Sequence, residues 1–511
     1  MQMKRLLATS LCALPALMAA ADGKKAPNVI LLVADDLGYG DLSCYGADRV
    51  QTPNVDNLAA SGVRFTNAHA VAATSTPSRY SLLTGEYAWR RKGTDIAAGN
   101  AGMIIRPERF TLADMFKSEG YATAAIGKWH LGLGDRDAEQ DWNAPLAMAL
   151  GDIGFDYSYI MAATADRVPC VFIENGRVAN YDPSAPIEVS YRANFPGEPT
   201  GKSNPELLYN LKPSPNHGHD QSIVNGISRI GYMKGGGTAL WKDENIADSI
   251  AEKAVDFIKK NRNNPFFMYL CTNDVHVPRF PHERFRGKNP MGLRGEAIMQ
   301  FDWTVGQILK ALKKMKLTDN TLIILTSDNG PVLDDGYMDH AVELVGTHSP
   351  TGPFRGGKYS TYEGGTAVPF IVSWPGHTPK GKVSDALVSH IDDFASLASL
   401  LGAVLPKDAA PDSRNSLPTW LGQEDTPRPF VVEQAQDHTL SVCDGEWKYI
   451  DPSNGPKVAW ATGIETGYMP RPQLYNLKKD QGERQNCAEA NPREVARLQG
   501  ILDQVRQQLD K

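Results

Sequence analysis

Asn28-Val-Ile-Leu-Leu-Val-Ala34 is a continuous apolar run that stops abruptly at Asp35-Asp36-Leu-Gly38. It does not alternate, so it predicts a strand buried on both faces, as in the middle of a parallel sheet. Working outward, Thr52 caps a short helix with Pro53 at its first position and Gly62 at its end. Thr111 to Glu119 reads as a second helix, stopped by Gly120 and followed by a strand from Tyr121 to Ile126. A helical stretch from about Asn245 to Lys260 precedes a strand from Phe266 to Cys271. Another, from about Gly295 to Lys316, precedes a strand from Thr321 to Thr326, and Val368 to Trp374 is a further strand. This alternation predicts an α/β fold with a large, mainly parallel sheet sandwiched by helices. In such sheets ligands bind at the carboxyl ends of the strands.

The flanking regions differ in character. Residues 152–242 are rich in Gly, Pro, Asn and Tyr with weak periodicity, and read as an inserted or loop-rich region near the site. After Pro406 the pattern changes to short strands, Phe430 to Gln434, Leu440 to Val442 and Glu446 to Ile450, then a terminal helix from Pro492 to Leu509. That is a smaller C-terminal antiparallel sheet plus helix. At the other end, Lys4 and Arg5 precede the apolar Leu6 to Met18, and Ala19-Ala20-Ala21 offers small residues for cleavage, the pattern of a secretory leader. The apolar stretch falls short of the roughly 20 residues that span a bilayer, so no stable membrane anchor is expected. The expected organisation is a signal peptide at 1–21, a catalytic domain at 22–405 and a C-terminal subdomain at 406–511, in a periplasmic or secreted protein.

Composition narrows the function classes. The 511 residues are 41% hydrophobic and 22% charged, as in an ordinary globular protein, and the net charge of -6 gives no reason to expect a nucleic-acid partner. Outside the leader the five cysteines, Cys44, Cys170, Cys271, Cys443 and Cys487, are scattered without C-x-x-C spacing, against a disulfide framework or a zinc site.

The polar residues fall at the strand ends. Asp35 and Asp36 follow the first strand, and Asp328 and Asn329 follow the strand from Thr321. Such a set of oxygen donors can converge on one hard cation such as Ca2+, whereas zinc takes His or Cys; the same residues are also ordinary turn formers. In Ser75-Thr-Pro-Ser-Arg-Tyr-Ser-Leu-Leu-Thr-Gly85, Pro77 and Gly85 frame a short helix. Ser75 lies near its N-terminus, where free N–H groups and the dipole favour an anion, and Arg79, one turn on, reaches the same face. Read without further context, an N-cap serine and a surface arginine fit better.

That segment resembles the full signature of the formylglycine-dependent sulfatase family, a branch of the alkaline phosphatase superfamily: C/S-x-P-S-R followed by Leu-Thr-Gly. The resemblance runs from about residue 27 to the C-terminus. Gly127-Lys-Trp-His-Leu-Gly132 carries Lys128 and His130, Val275-His-Val-Pro278 carries His276, and Gly356-Gly-Lys358 carries the late lysine of the family. Asp35, Asp36, Asp328 and Asn329 match its calcium ligands, which residue 75 joins. The resemblance implies that Ser75 is oxidised after synthesis to formylglycine (3-oxoalanine). Serine rather than cysteine there implies the branch matured without oxygen by an anaerobic sulfatase-maturating radical enzyme.

The implied mechanism is physically coherent. The hydrated aldehyde attacks sulfur in line, Ca2+ and Arg79 activate it, and Lys128 and Lys358 balance the sulfate charge. His276 protonates the leaving sugar oxygen, and His130 takes the proton that releases sulfate. The rival readings are a phosphatase or phosphodiesterase of the same superfamily, whose two-metal members carry Asp-His where this chain has Asp328-Asn329, and an inactive glycan-binding protein. The expected substrate is a sulfated carbohydrate, most resembling galactose or N-acetylgalactosamine sulfates. Asp166, Arg167, His340, His348 and Arg355 are the candidate sugar-binding residues, with an internal Asp166–Arg167 ion pair and mobile loop histidines as the plainer alternative.

Overall fold

The computed structural model describes residues 26–508, and in it Asn28–Ala34 forms a strand (β1) buried at every position. It lies near the centre of a ten-stranded sheet. In chain order the others are β2 (Val63–Phe65), β3 (Ala122–Lys128), β4 (Tyr157–Met161), β5 (Phe172–Glu174), β6 (Arg177–Val178), β7 (Phe266–Cys271), β8 (Thr321–Ser327), β9 (Phe370–Ser373) and β10 (Lys382–Ser384). The spatial order is β10-β2-β9-β8-β1-β7-β3-β4-β5-β6. The central block β8-β1-β7-β3-β4 is parallel throughout. Antiparallel strands flank it: β9 beside β8, and β5 with β6 beyond β4.

Among the described residues, seven helices of seven or more residues follow in the order α1 (Pro53–Ala60), α2 (Ser75–Thr84), α3 (Leu112–Ser118), α4 (Ile246–Lys260), α5 (Gly292–Lys314), α6 (Asp393–Leu401) and α7 (Pro492–Gln507). They associate in groups: α5 packs on α4 and α1, while α2 packs on α3 and α6. Thr111 caps α3 by accepting from the Asp114 N–H, and Asp114 returns the bond, closing a capping box. Buried apolar residues of β1, β7, β8 and the helices form one continuous core.

The C-terminal strands β11 (Val431–Gln434), β12 (Leu440–Cys443), β13 (Trp447–Ile450) and β14 (Gln473–Asn476) make a separate antiparallel sheet. Leu498, Leu502 and Val505, spaced for one helical face, bury α7 against it. Val71, Tyr87 and Tyr362 from the first part of the chain share this second core. β14 has no counterpart in the sequence reading, and the segment expected to be loop-rich contributes β4, β5 and β6 to the main sheet. The leader-like segment lies outside the described residues; among the described residues, no helix is long and apolar enough to cross a membrane. The five cysteines among the described residues are free.

Candidate active site

Parallel register puts the chemistry on one edge. Ala34 pairs with Ser327, and Cys271 with Gly127, so β1, β8, β7 and β3 end side by side. The chain leaving them carries Asp35 and Asp36, then Asp328 and Asn329, then His276, then Lys128 and His130. Asp36 (φ 55°) and His130 (φ 61°) sit in the left-handed region, which Asp and His enter more readily than most side chains. These turns bend the chain sharply just past the strand ends.

Helix α2 completes the site from the opposite side. Ser75 is its first residue, every residue in it is buried, and Gly85 (φ 63°) ends it. Ser75 Oγ accepts from Lys128 Nζ at 2.8 Å and lies 3.4 Å from Asn329 Oδ1. One turn along, Arg79 donates through Nε (3.0 Å) and Nη2 (2.8 Å) to Asp328 Oδ2. The N–H groups of the first turn and the helix dipole therefore face the same spot as two cations.

The charges around Ser75 are tightly interlocked. Lys128 Nζ is 2.6 Å from Asp35 Oδ1 and 3.7 Å from Asp328 Oδ2. Burial pushes the Asp35 carboxyl up; Lys128 and His276 oppose this, while Asp328 and Asp36 add to it. Asp328 experiences the same burial, but Arg79 and Lys128 outweigh it and hold that carboxyl well below the carboxylate range. Asn329 Nδ2 donates to Asp36 Oδ1 at 2.8 Å, which leaves its Oδ1 toward Ser75. Asp35 Oδ2 is buried without a hydrogen-bond partner. Ligand atoms of Asp35, Asp36 and His276 lie within 4.8 Å of one another. A buried oxygen with no donor, amid carboxylates and an amide oxygen, fits a hard divalent cation.

Across the cavity, Lys358 Nζ donates to Asp36 Oδ2 (2.8 Å) and Asp335 Oδ2 (2.9 Å) and lies 3.4 Å from His276 Nε2. Burial works against the Lys358 charge, but Asp335 and Asp36 raise its pKa well above the usual value. His276 Nδ1 faces the Val277 carbonyl at 2.7 Å. His130 Nε2 faces the Ala97 carbonyl at 3.0 Å, and its buried Nδ1 has no partner. Burial, then the charges of Lys128 and Arg167, pull the His130 pKa well down, so its imidazole is neutral. Ser75, His130, His276 and Lys358 line a cavity of about 70 Å³.

Of the expected sugar-binding residues, Asp166 and Arg167 line this cavity. They also pair with each other at 3.2 Å, and His219 Nε2 meets Asp166 Oδ2 at 3.2 Å. The other three do not line it. His340 is 63% exposed, 3.8 Å from Glu343, in a separate depression beside Met338. His348 is buried on Asp41 (2.8 Å), a carboxylate that Arg294 also clamps. Arg355 is committed to Glu465 (2.9 and 2.5 Å) and to the Glu483 carbonyl (2.8 Å). Three lining residues with titratable side chains escaped the sequence reading: Asp335, Tyr359 and His219. The available signals were weak, an Asp334-Asp335-Gly336 turn after Asn329 and a His217-Gly-His219 stretch in a region without periodicity.

Residues 27–403 match the sulfatase family model. An N-acetylgalactosamine-6-O-sulfatase of Bacteroides thetaiotaomicron is 53% identical over 94% of this chain and 93% of its own length. An N-acetylgalactosamine-6-sulfatase of Canis lupus familiaris is 29% identical over 96% of this chain and 87% of its own. A solved structure from a Bacteroides thetaiotaomicron core locus for metabolism of multiple glycosaminoglycans superposes with a TM-score of 0.92 at 52% identity, covering 94% of this chain and 99% of that one. A phosphonate monoester hydrolase of Agrobacterium radiobacter, at 19% identity and a TM-score of 0.58, covering 94% of this chain and 96% of that one, shares the fold. The match across both sheets and the strand-end cluster has one meaning: the chain belongs to the sulfatase family and is a sulfuric ester hydrolase.

Proposed function

We propose that the protein is a calcium-dependent carbohydrate sulfatase that works through formylglycine made from Ser75 and acts on galactose or N-acetylgalactosamine sulfates, with N-acetylgalactosamine 6-sulfate the first choice. The observation that carries this reading is the position of Ser75 Oγ at the N-terminus of α2, between Lys128 Nζ (2.8 Å) and Asn329 Oδ1 (3.4 Å). Family membership implies a divalent metal and formylglycine, and two relatives are named for the 6-sulfate of N-acetylgalactosamine.

The chain's own groups divide the work. The sulfate oxygens face the free N–H groups of α2 and the ammonium groups of Lys128 and Lys358, preorganised donors in a water-poor cavity. Arg79, locked on Asp328, keeps a fixed positive charge beside residue 75. His276 binds the Val277 carbonyl through Nδ1–H, so the proton for the departing sugar oxygen comes from Nε2–H of its imidazolium form. His130 donates Nε2–H to the Ala97 carbonyl, so its free Nδ1 takes the proton shed when sulfate leaves. Asp166, Arg167 and His219 hydrogen-bond the sugar hydroxyls.

Asp35, Asp36, Asp328 and Asn329, with residue 75, would hold Ca2+, which when bound adds positive charge against the sulfate and lowers the pKa of the attacking hydroxyl. Formylglycine supplies a hydrated aldehyde, a nucleophile with a release route that a serine hydroxyl lacks. The leader-like first 21 residues support a periplasmic or secreted site of action, and an anaerobic radical maturase is the partner that Ser75 needs.

The test is to co-express the chain with an anaerobic maturase, weigh the Ser75 peptide, and assay sulfate release from a panel of sulfated sugars. The expected result is loss of a hydrogen molecule at Ser75 together with release from N-acetylgalactosamine 6-sulfate. Conversion with no release from any sulfated sugar or oligosaccharide would overturn the reading.

A further inference from the structure

The catalytic cavity is narrow, about 70 Å³. A substrate longer than one sugar must therefore extend beyond it. A second cleft of about 490 Å³, lined by Pro331, Asp334, Gly356, Trp460 and Thr462, lies beside it. The walls are adjacent in the chain: Asp335 and Lys358 face the cavity, while Asp334 and Gly356 face the cleft. A ring path also joins them. His219 lines the cavity; its ring centre is 6.4 Å from that of His217, which in turn meets Trp460 edge-on at 5.4 Å.

Trp460 is 74% exposed. A single exposed apolar side chain is ordinary, but this one is held in place. It sits near the tip of a hairpin closed by the Val458–Glu465 bridge and by the Ala459 N–H, which donates to the Ile464 carbonyl (2.8 Å). The hairpin stem is tied to the segment carrying Lys358: Thr361 N–H donates to the Thr466 carbonyl (2.9 Å), Ser360 Oγ to the Glu465 carbonyl (2.8 Å), and Arg355 pairs with Glu465. An indole fixed this way presents a flat apolar face, with acceptor oxygens on Asp334 and Thr462 around it. A pyranose has the matching chemistry, a C–H face ringed by hydroxyls.

We propose that the cleft lined by Trp460 and Asp334 is a subsite for the sugar ring next to the sulfated one, so that the enzyme recognises at least a disaccharide. This rests on the carbohydrate-sulfatase reading. The test compares N-acetylgalactosamine 6-sulfate with a disaccharide carrying that sugar at its non-reducing end. Calorimetric titration of the Ser75→Ala protein with both probes reads binding without turnover, and matured enzyme reads kcat and KM.

The expected result is that Trp460→Ala weakens disaccharide binding and raises its KM roughly tenfold, the size of one stacked ring contact, with kcat and all monosaccharide values within about twofold. Trp460→Tyr, which keeps an aromatic face, should restore most of the affinity. Equal losses on both probes, no loss on either, or no gain in affinity from monosaccharide to disaccharide would overturn the subsite. Failure of the sulfatase reading would show differently, as absent turnover with disaccharide binding still sensitive to Trp460.

Discussion

Lys128 Nζ stands 2.8 Å from Ser75 Oγ and 2.6 Å from Asp35 Oδ1, so the lysine links the residue proposed for modification to the acidic cluster. Ser75→Ala removes only that oxygen from a buried helix start. It should abolish sulfate release while leaving the thermal midpoint near that of the parent. Lys128→Met removes one charge proposed to face the sulfate, and kcat should fall roughly 100- to 1,000-fold, the usual cost of one preorganised donor. Persistent turnover in Ser75→Ala would show that the chemistry does not pass through residue 75.

The buried Asp35 Oδ2 without a donor points to a metal-dependent fold and rate. Treatment with a calcium chelator should remove activity, and added Ca2+ should restore it. Binding to the folded state alone also stabilises it, by about 2.7 kcal/mol at a hundredfold excess over Kd. Calcium should therefore raise the melting temperature of the unmodified protein, and Asp35→Asn should suppress that rise. A chelator-insensitive rate together with a calcium-independent melting temperature would remove the cation from the scheme.

The parallel core and the strand-end residues were readable because each is written locally. β1 is apolar at every position after Asn28, and the two residues that follow it, Asp35 and Asp36, are acidic. What was not readable depends on distant partners. β2 has three residues and β6 two, too short for any period to show. Arg355 looked available beside the late lysine, but its partner Glu465 lies 110 positions away. His340 and His348 are equivalent as loop histidines; only packing sends one to solvent and the other onto Asp41. For Asp41, burial raises the pKa, yet Arg294 and His348 bring it down to about 2, marking that trio as a fixed ion cluster.

Asp335 was missed for the same reason. It accepts from Lys358 Nζ (2.9 Å) and from the Tyr359 hydroxyl (3.0 Å), and although burial raises its pKa, the Lys358 charge brings it down to about 2. Its role follows from this geometry: it holds the Lys358 ammonium against the cavity. Asp335→Asn keeps the shape but weakens the grip, and should lower kcat roughly 10- to 100-fold, the range seen when groups supporting a reactive centre are removed. The melting temperature should change little. An unchanged rate would show that Asp36 alone positions Lys358.

A last prediction concerns stability away from the site. Lys448 on β13 donates to Glu363 Oε1 at 2.8 Å and lies 2.8 Å from Glu433 Oε2, while His69 Nδ1 meets Glu433 Oε1 at 2.8 Å, all nearly inaccessible to water. These groups join the C-terminal sheet to the first part of the chain. Lys448→Met strands two buried carboxylates and should destabilise by about 3–5 kcal/mol, read from denaturant unfolding. Burial lowers the His69 pKa, but Glu363 and Glu433 outweigh it, and the folded value is raised above 6.5. A raised histidine stabilises fully below its unfolded pKa, and that contribution fades as pH climbs through the folded value. His69→Gln should therefore cost more stability at pH 6 than at pH 9. An equal cost at both would mean that His69 contributes shape rather than charge.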